Sequence, residues 1–158
     1  MTKTFVFRGI LACALALAAF AASAEDTGAA TVDAAWAKAM KAGDLDAVVA
    51  CYAEDAVLWL PGAPEARGSK AIRETYAGML AANTVTEASI MNAHYETWQN
   101  ISVGWGNFVL ALQPKAGGAP AVMHGRFTDV ARQIKGRWYY VADQASADPA
   151  PAPAAAKP

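Results

Sequence analysis

From Ala29 to Lys41 the apolar residues Val32, Ala35, Trp36, Ala39 and Met40 recur at intervals of three and four. That is the period of a helix with one buried face, and Gly43 supplies its stop. Asp44 can cap the amides of a second helix, with Leu45, Val48, Val49 and Tyr52 on its apolar side and Glu54-Asp55 at its close. Ala56 to Leu60 is a short apolar run, read as a strand, and Pro61-Gly62-Ala63-Pro64 ends it. Ser69 can cap a third helix from Lys70 to Ala82, which aligns Ile72, Tyr76, Met79 and Leu80.

Beyond Asn83 the period changes from helical to alternating. Four β-rich runs follow: Thr84 to Trp98, Ile101 to Leu112, Ala121 to Ile134 and Arg137 to Ala145. Short connections at Gln99-Asn100 and Lys135-Gly136, with a Pro/Gly-rich loop between them, predict an antiparallel meander. Helices first and sheet second is an α+β order. The expected fold is a cone-shaped, curved antiparallel sheet wrapped on three N-terminal helices, enclosing a cavity.

The ends read differently. Lys3 and Arg8 precede an apolar run from Gly9 to Ala22, and Ala22-Ser23-Ala24 stands before Glu25-Asp26. This predicts a signal peptide over residues 1–24 and a periplasmic or secreted product, since the run is shorter than the roughly 20 residues that span a bilayer. No membrane association is expected after cleavage. Cys13 would leave with the signal, so Cys51, among Val48, Val49 and Tyr52, has no disulfide partner and reads as a small buried hydrophobe. From Ser146 the run SADPAPAPAAAKP predicts a disordered tail, leaving one domain over residues 25–145.

Composition narrows the function classes. A chain of 158 residues, 55% hydrophobic, has material for one core. With net charge -1 and scattered Lys and Arg, it lacks the basic footprint that nucleic acid requires. No His, Cys or carboxylate pair stands at a recognised metal spacing, and no phosphate-cradling Gly-rich loop or G-x-S-x-G elbow occurs. Neither metal nor cofactor is expected.

The hairpin register supplies candidate chemistry. A turn at Lys135-Gly136 pairs Ile134 with Arg137, which sets Thr128 opposite Asp143 and Arg126 diagonal to it. On a concave face that pair would orient a substrate or form a structural ion pair, the Arg lowering the pKa of Asp143. His94 shares a strand face with Glu96 and Trp98: an acid/base unit if that face lines the cavity, a solvent or dimer face if it does not. Trp59, Tyr76, Trp98 and Tyr139, with Arg126 and Thr128, are candidates to line an aromatic cup for a small apolar or aromatic molecule.

Two stretches carry a family likeness: Ala35 to Leu80, with its AGD turn, YAEDA and G-x-x-AI, and Gly125 to Ser146, ending in Asp-x-x-Ser. They resemble SnoaL-like proteins of the nuclear transport factor 2-like superfamily, nearest the SgcJ/EcaC type. The resemblance implies a cystatin-like roll. It does not imply one reaction, because the superfamily includes isomerases, dehydratases, epoxide hydrolases, cyclases and binding or assembly domains. Ketosteroid isomerases would have their general base at Leu60 and their oxyanion-stabilising acid at Thr128, so both groups are missing. Limonene epoxide hydrolase-type enzymes would have a catalytic Asp at Asp143, with His94-x-Glu96 in place of Arg-x-Asp. The expectation is an exported, homodimeric small-molecule-binding domain; the alternative is an acid/base enzyme acting through Asp143 with His94 and Glu96.

Overall fold

A computed structural model describes residues 28–149. The elements are α1 (Ala29–Ala42), α2 (Leu45–Val49), β1 (Tyr52–Trp59), β2 (Ala66–Arg67), α3 (Gly68–Ala82), β3 (Asn83–Trp98), β4 (Ile101–Pro114), β5 (Ala121–Ile134) and β6 (Arg137–Ala147). Helix α1 ends where Gly43 turns left-handed (φ 64) and donates back to the Ala39 and Met40 carbonyls. Asp44 caps α2 by accepting the Ala47 amide at 3.0 Å. This helix is shorter than the apolar pattern suggests. Tyr52 belongs to β1, because the Tyr140 amide donates to the Cys51 carbonyl at 2.9 Å and draws the chain into the sheet there. Helix α3 begins one residue before Ser69, which makes no side-chain cap.

One six-stranded sheet runs in the order β2-β1-β6-β5-β4-β3, curved and unclosed. Strands β3 to β6 form the expected antiparallel meander. Strand β1 corrects the expectation of a wholly antiparallel sheet: it pairs parallel with β6. No hairpin joins these two strands, so the connection does not dictate their relative direction. Bulges interrupt β3 between Val85 and Glu87 and between Met91 and His94, and another interrupts the β5–β6 pairing. Each adds a residue to one strand, bending it and exchanging which side chains face inward.

The core lies between the helices and the concave face. Val32 and Met40 of α1 and Ile72, Tyr76 and Leu80 of α3 meet Phe108, Leu110, Phe127, Ala131 and Tyr140 of the sheet. The start of α1 is pinned on β4, where the Ala29 amide donates to Ser102 Oγ at 2.9 Å. Gly28 (φ 73) makes that approach possible, since a Cβ there would sit 2.3 Å from the same oxygen.

Strand β6 continues to Ala147, and the Asp148 amide bonds the His124 carbonyl at 2.8 Å. Ser146 and Ala147 thus belong to β6; the rest of the expected tail beyond Pro149 and the expected signal peptide lie outside the described residues. No described helix is long and apolar enough to cross a membrane.

Candidate functional site

A cavity of about 240 Å³ opens between α1, α3 and the concave face. Its walls are apolar and largely aromatic: Trp36, Tyr76, Met79, Ile90, Phe108, Phe127 and Tyr140, with Leu60, Pro61 and Ala63 following β1. Three carboxyl groups, Asp33, Asp129 and Asp143, also line it. Among the described residues that line it there is no Lys, Arg or His.

Each carboxyl group is placed by the element that carries it. On α1, Ala29, Asp33, Trp36 and Met40 stand four, three and four residues apart, so Asp33 falls on the buried stripe. On β5 the inward residues are Gly125, Phe127, Asp129 and Ala131, all buried. Asp129 and Asp143 are direct cross-strand partners. Asp33 and Asp129 are each only 2% exposed. Gly104 of β4 makes room for Asp129, because a Cβ there would lie 2.7 Å from its Oδ1.

The surrounding hydroxyls point at these acids. Tyr140 donates to Asp33 Oδ1, and Tyr95 donates to Asp33 Oδ2 at 2.7 Å. Tyr52 donates to Asp143 Oδ2 at 2.5 Å. With its proton so committed, Tyr52 accepts from Tyr76 at 2.7 Å, and Tyr76 accepts from Trp36 Nε1 at 3.1 Å. A directed chain thus runs from Trp36 through Tyr76 and Tyr52 to Asp143. Burial raises the pKa of Tyr52, Tyr76 and Tyr140, so they remain proton donors.

Electrostatics separates the three acids. Burial, then the Asp33 charge and a hydrogen bond with Asp33, push Asp129 up to about 10. Asp33 is also raised by burial, opposed by bonds from Tyr140, Asp129 and Tyr95. At neutral pH Asp129 therefore holds a proton and shares it with Asp33. Burial pushes Asp143 to about 6, with the Tyr52 bond lowering it and the Asp33 charge raising it. Asp129 Oδ1 has no hydrogen-bond partner. Two groups with separated proton affinities thus face each other in an apolar chamber, the condition for moving protons to and from a bound molecule.

Of the residues singled out from the sequence, Asp143 and Tyr76 line this cavity. Arg126 and Thr128 do not, and the reason is the register. Strand β6 has an extra residue, Val141, between Tyr140, which faces Ala131, and Ala142, which faces Val130. Thr128 consequently pairs with Gln144 and points outward, exposed. Arg126 is exposed too and pairs with Asp148 at 3.2 Å instead of meeting Asp143. His94, Glu96 and Trp98 are exposed on the convex face, where His94 stacks on Trp105 at 5.9 Å. Trp59 bonds the exposed Glu65 at 2.9 Å, and Tyr139 lies under the Arg137 guanidinium at 4.9 Å; neither lines the cavity.

Sequence reasoning missed Asp33 and Asp129. Both carried a signal: an Asp at core spacing on α1, and an Asp between Phe127 and Ala131 in an alternating strand. Among the described residues no group of three His, Cys, Asp or Glu side chains is arranged to hold a metal ion. Cys51 is buried and free, its thiol pushed up to about 11 by burial.

No curated protein matches the chain. Solved structures do. A Xanthomonas campestris protein provisionally named a calcium/calmodulin dependent protein kinase II association domain is 21% identical, with a TM-score of 0.68 over 76% of this chain and 85% of that one. A Streptomyces avermitilis protein provisionally named a dehydratase of the NTF2-like family is 17% identical, with a TM-score of 0.68 over 76% and 94%. A ketosteroid isomerase-like protein of Erwinia carotovora atroseptica is 20% identical, with a TM-score of 0.64 over 74% and 91%. At such identities the likeness establishes the nuclear transport factor 2-like, cystatin-like fold. The SnoaL-like domain model matches residues 32–141, from α1 to the bulge of β6, and the chain belongs to that family.

Proposed function

We propose that the cavity binds a small, mostly apolar molecule and transfers protons on it, as an isomerase or a dehydratase does. The observation that carries this reading is the facing pair on β5 and β6: Asp129, which keeps its proton at neutral pH, and Asp143, which is poised to lose and regain one near pH 6. Asp143 acts as base toward an acidic C–H or O–H of the bound molecule. The Asp33–Asp129 pair holds the proton that is returned, to carbon for an isomerisation or to a departing hydroxyl for a dehydration. Tyr52 holds the Asp143 carboxylate in place, and Tyr76 and Trp36 hold Tyr52. The apolar walls exclude competing water. The dehydratase and isomerase-like names of two structural neighbours point the same way.

The test is a panel of α,β-unsaturated carbonyl compounds, β-hydroxy carbonyl compounds and their amine-bearing counterparts. For whichever compound turns over, Asp143→Asn should lower kcat by about 10² to 10⁴, the usual contribution of a positioned base. Unchanged turnover in that variant would remove Asp143 from the chemistry. Glu96→Gln, on the convex face, should leave turnover unaltered.

A further inference from the structure

The hydrogen-bonding groups around the cavity are one-sided. Each side-chain donor on its wall is already committed to a protein acceptor. Trp36 Nε1 donates to Tyr76, Thr75 Oγ1 donates to the Ala71 carbonyl at 3.0 Å, Tyr76 donates to Tyr52, and Tyr140 donates to Asp33. The second layer is spent as well: Tyr52 on Asp143 and Tyr95 on Asp33. The single carboxyl proton that Asp129 retains is shared with Asp33. What remains is acceptor capacity on carboxyl oxygens. Asp143 receives its one side-chain bond, from Tyr52, on Oδ2 alone, which leaves Oδ1 to accept from an occupant of the cavity; the unpartnered Asp129 Oδ1 is turned to Gly104 of β4 and is buried from it.

The charge is one-sided too. The groups that face Asp143 are Tyr52 of β1, Tyr76 of α3, Asp33 of α1, Asp129 of β5 and Tyr140 of β6. Cys51, at the entry to β1, feels the Asp143 charge, and its thiol is kept protonated by burial. Arg137 is turned away, donating to the Ala50 carbonyl at 3.0 Å. Among the described residues no cation lies on the cavity wall, which is otherwise made of aromatic and aliphatic side chains. A carboxylate partly buried among apolar walls without a counter-ion is unfavourable until something supplies both charge and N–H donors. Aromatic faces around it attract cations rather than anions.

We infer that the molecule this cavity selects is an organic amine, bound as its ammonium ion, with N–H groups directed to Asp143 and an apolar body against Trp36, Phe108 and Phe127. The inference rests on the ligand cavity of the proposed function and names the polarity of its occupant. It excludes carboxylate- and phosphate-bearing molecules, which would meet three acids and no positive group. Acceptor-only molecules such as simple ketones bind more weakly than the amine above about pH 6, where Asp143 is ionised and has no proton to offer them. Binding of the amine requires Asp143 ionised, so it strengthens as pH rises through that value and fades below it.

Three isosteric probes test this by calorimetry on the purified full chain: 2-(aminomethyl)naphthalene, 2-(hydroxymethyl)naphthalene and 2-naphthoic acid, each at about pH 8 and about pH 5. The amine should bind at least about tenfold more tightly than the alcohol at the higher pH, and lose about tenfold at the lower one, one unit below the Asp143 value. The acid should not bind. Asp143→Asn should abolish the pH dependence. Tyr52→Phe, which keeps the carboxylate and removes its donor, should move the loss of amine binding to higher pH, and it serves if the Asn variant does not fold. Glu96→Gln checks for non-specific attraction to surface acids and should change nothing. If the alcohol or acid binds as tightly as the amine, the inference falls while the proton-transfer reading stands. If none of the three binds, the cavity is not a ligand site of this kind and both fall. Tight amine binding together with Asp143→Asn turnover equal to that of the unsubstituted protein would keep the inference and sink the proton-transfer reading.

Discussion

Asp143→Asn should make the protein more stable at alkaline pH, and the size of the effect follows from the site. Burial lifts the Asp143 pKa from its ordinary 3.8 to about 6 even though Tyr52 donates to it. A group with a raised pKa binds more protons folded than unfolded between those two values, so stability falls as pH rises through that window and stays reduced above it. For this partly buried group a rise from 3.8 to about 6 corresponds to at most about 3 kcal/mol at about pH 8. Asparagine keeps an oxygen for the Tyr52 hydroxyl and carries no charge, but its amide hydrogens enter an apolar cavity. The expected net gain is therefore about 2 kcal/mol, or roughly 5–10 °C in Tm for a domain of this size. Removing the Asp143 charge also relieves Asp129, whose pKa it raises. The gain should shrink as pH falls through 6 and vanish only below 3.8, where Asp143 is protonated in both states. Thermal melts of both proteins by circular dichroism between about pH 4 and pH 9 measure it. A difference in Tm that is constant across that range, or an Asn variant that is less stable at about pH 8, would refute the assignment of a partly buried carboxylate with a raised pKa. A gain in stability with a loss of turnover is the usual signature of an active-site group.

Three further outcomes follow from the geometry. Gly104→Ala would place a methyl 2.7 Å from Asp129 Oδ1 and 3.0 Å from the Tyr95 ring, and should cost about 1–3 kcal/mol in chemical denaturation. Tyr52→Phe removes the bond that lowers the Asp143 pKa, so carboxyl carbon NMR should find that group titrating above 6. Arg126→Ala cuts an exposed ion pair with Asp148, whose side chains are 61% and 42% exposed; it should change stability by less than about 1 kcal/mol and leave the Asp143 titration where it was.

Local pattern was enough for the order of elements. The stripe from Val32 to Met40, the cap at Asp44, the Gly43 stop and the change of period after Asn83 are each properties of a few neighbouring residues, and so were legible in the chain. The motifs from Ala35 to Leu80 and Gly125 to Ser146 carried the family. The site was different, because it depends on how distant strands meet. The turn at Lys135-Gly136 does pair Ile134 with Arg137, but one bulged residue, Val141, shifts every later pair by one and turns the faces over. That step replaced Thr128 with Asp129 beside Asp143 and sent Arg126 to the surface. Likewise His94 and Glu96 share a face as the alternation requires, but the direction in which the sheet curves around the helices decided that this face is convex. Asp33 joined the site only because α1 lies across the concave face of the sheet, from β3 to β6, and brings its carboxyl to Tyr140, 107 residues away in sequence. Sequence determined the parts because helix and strand periods are local; tertiary structure decided the chemistry because burial and pairing set which carboxyl groups keep their protons.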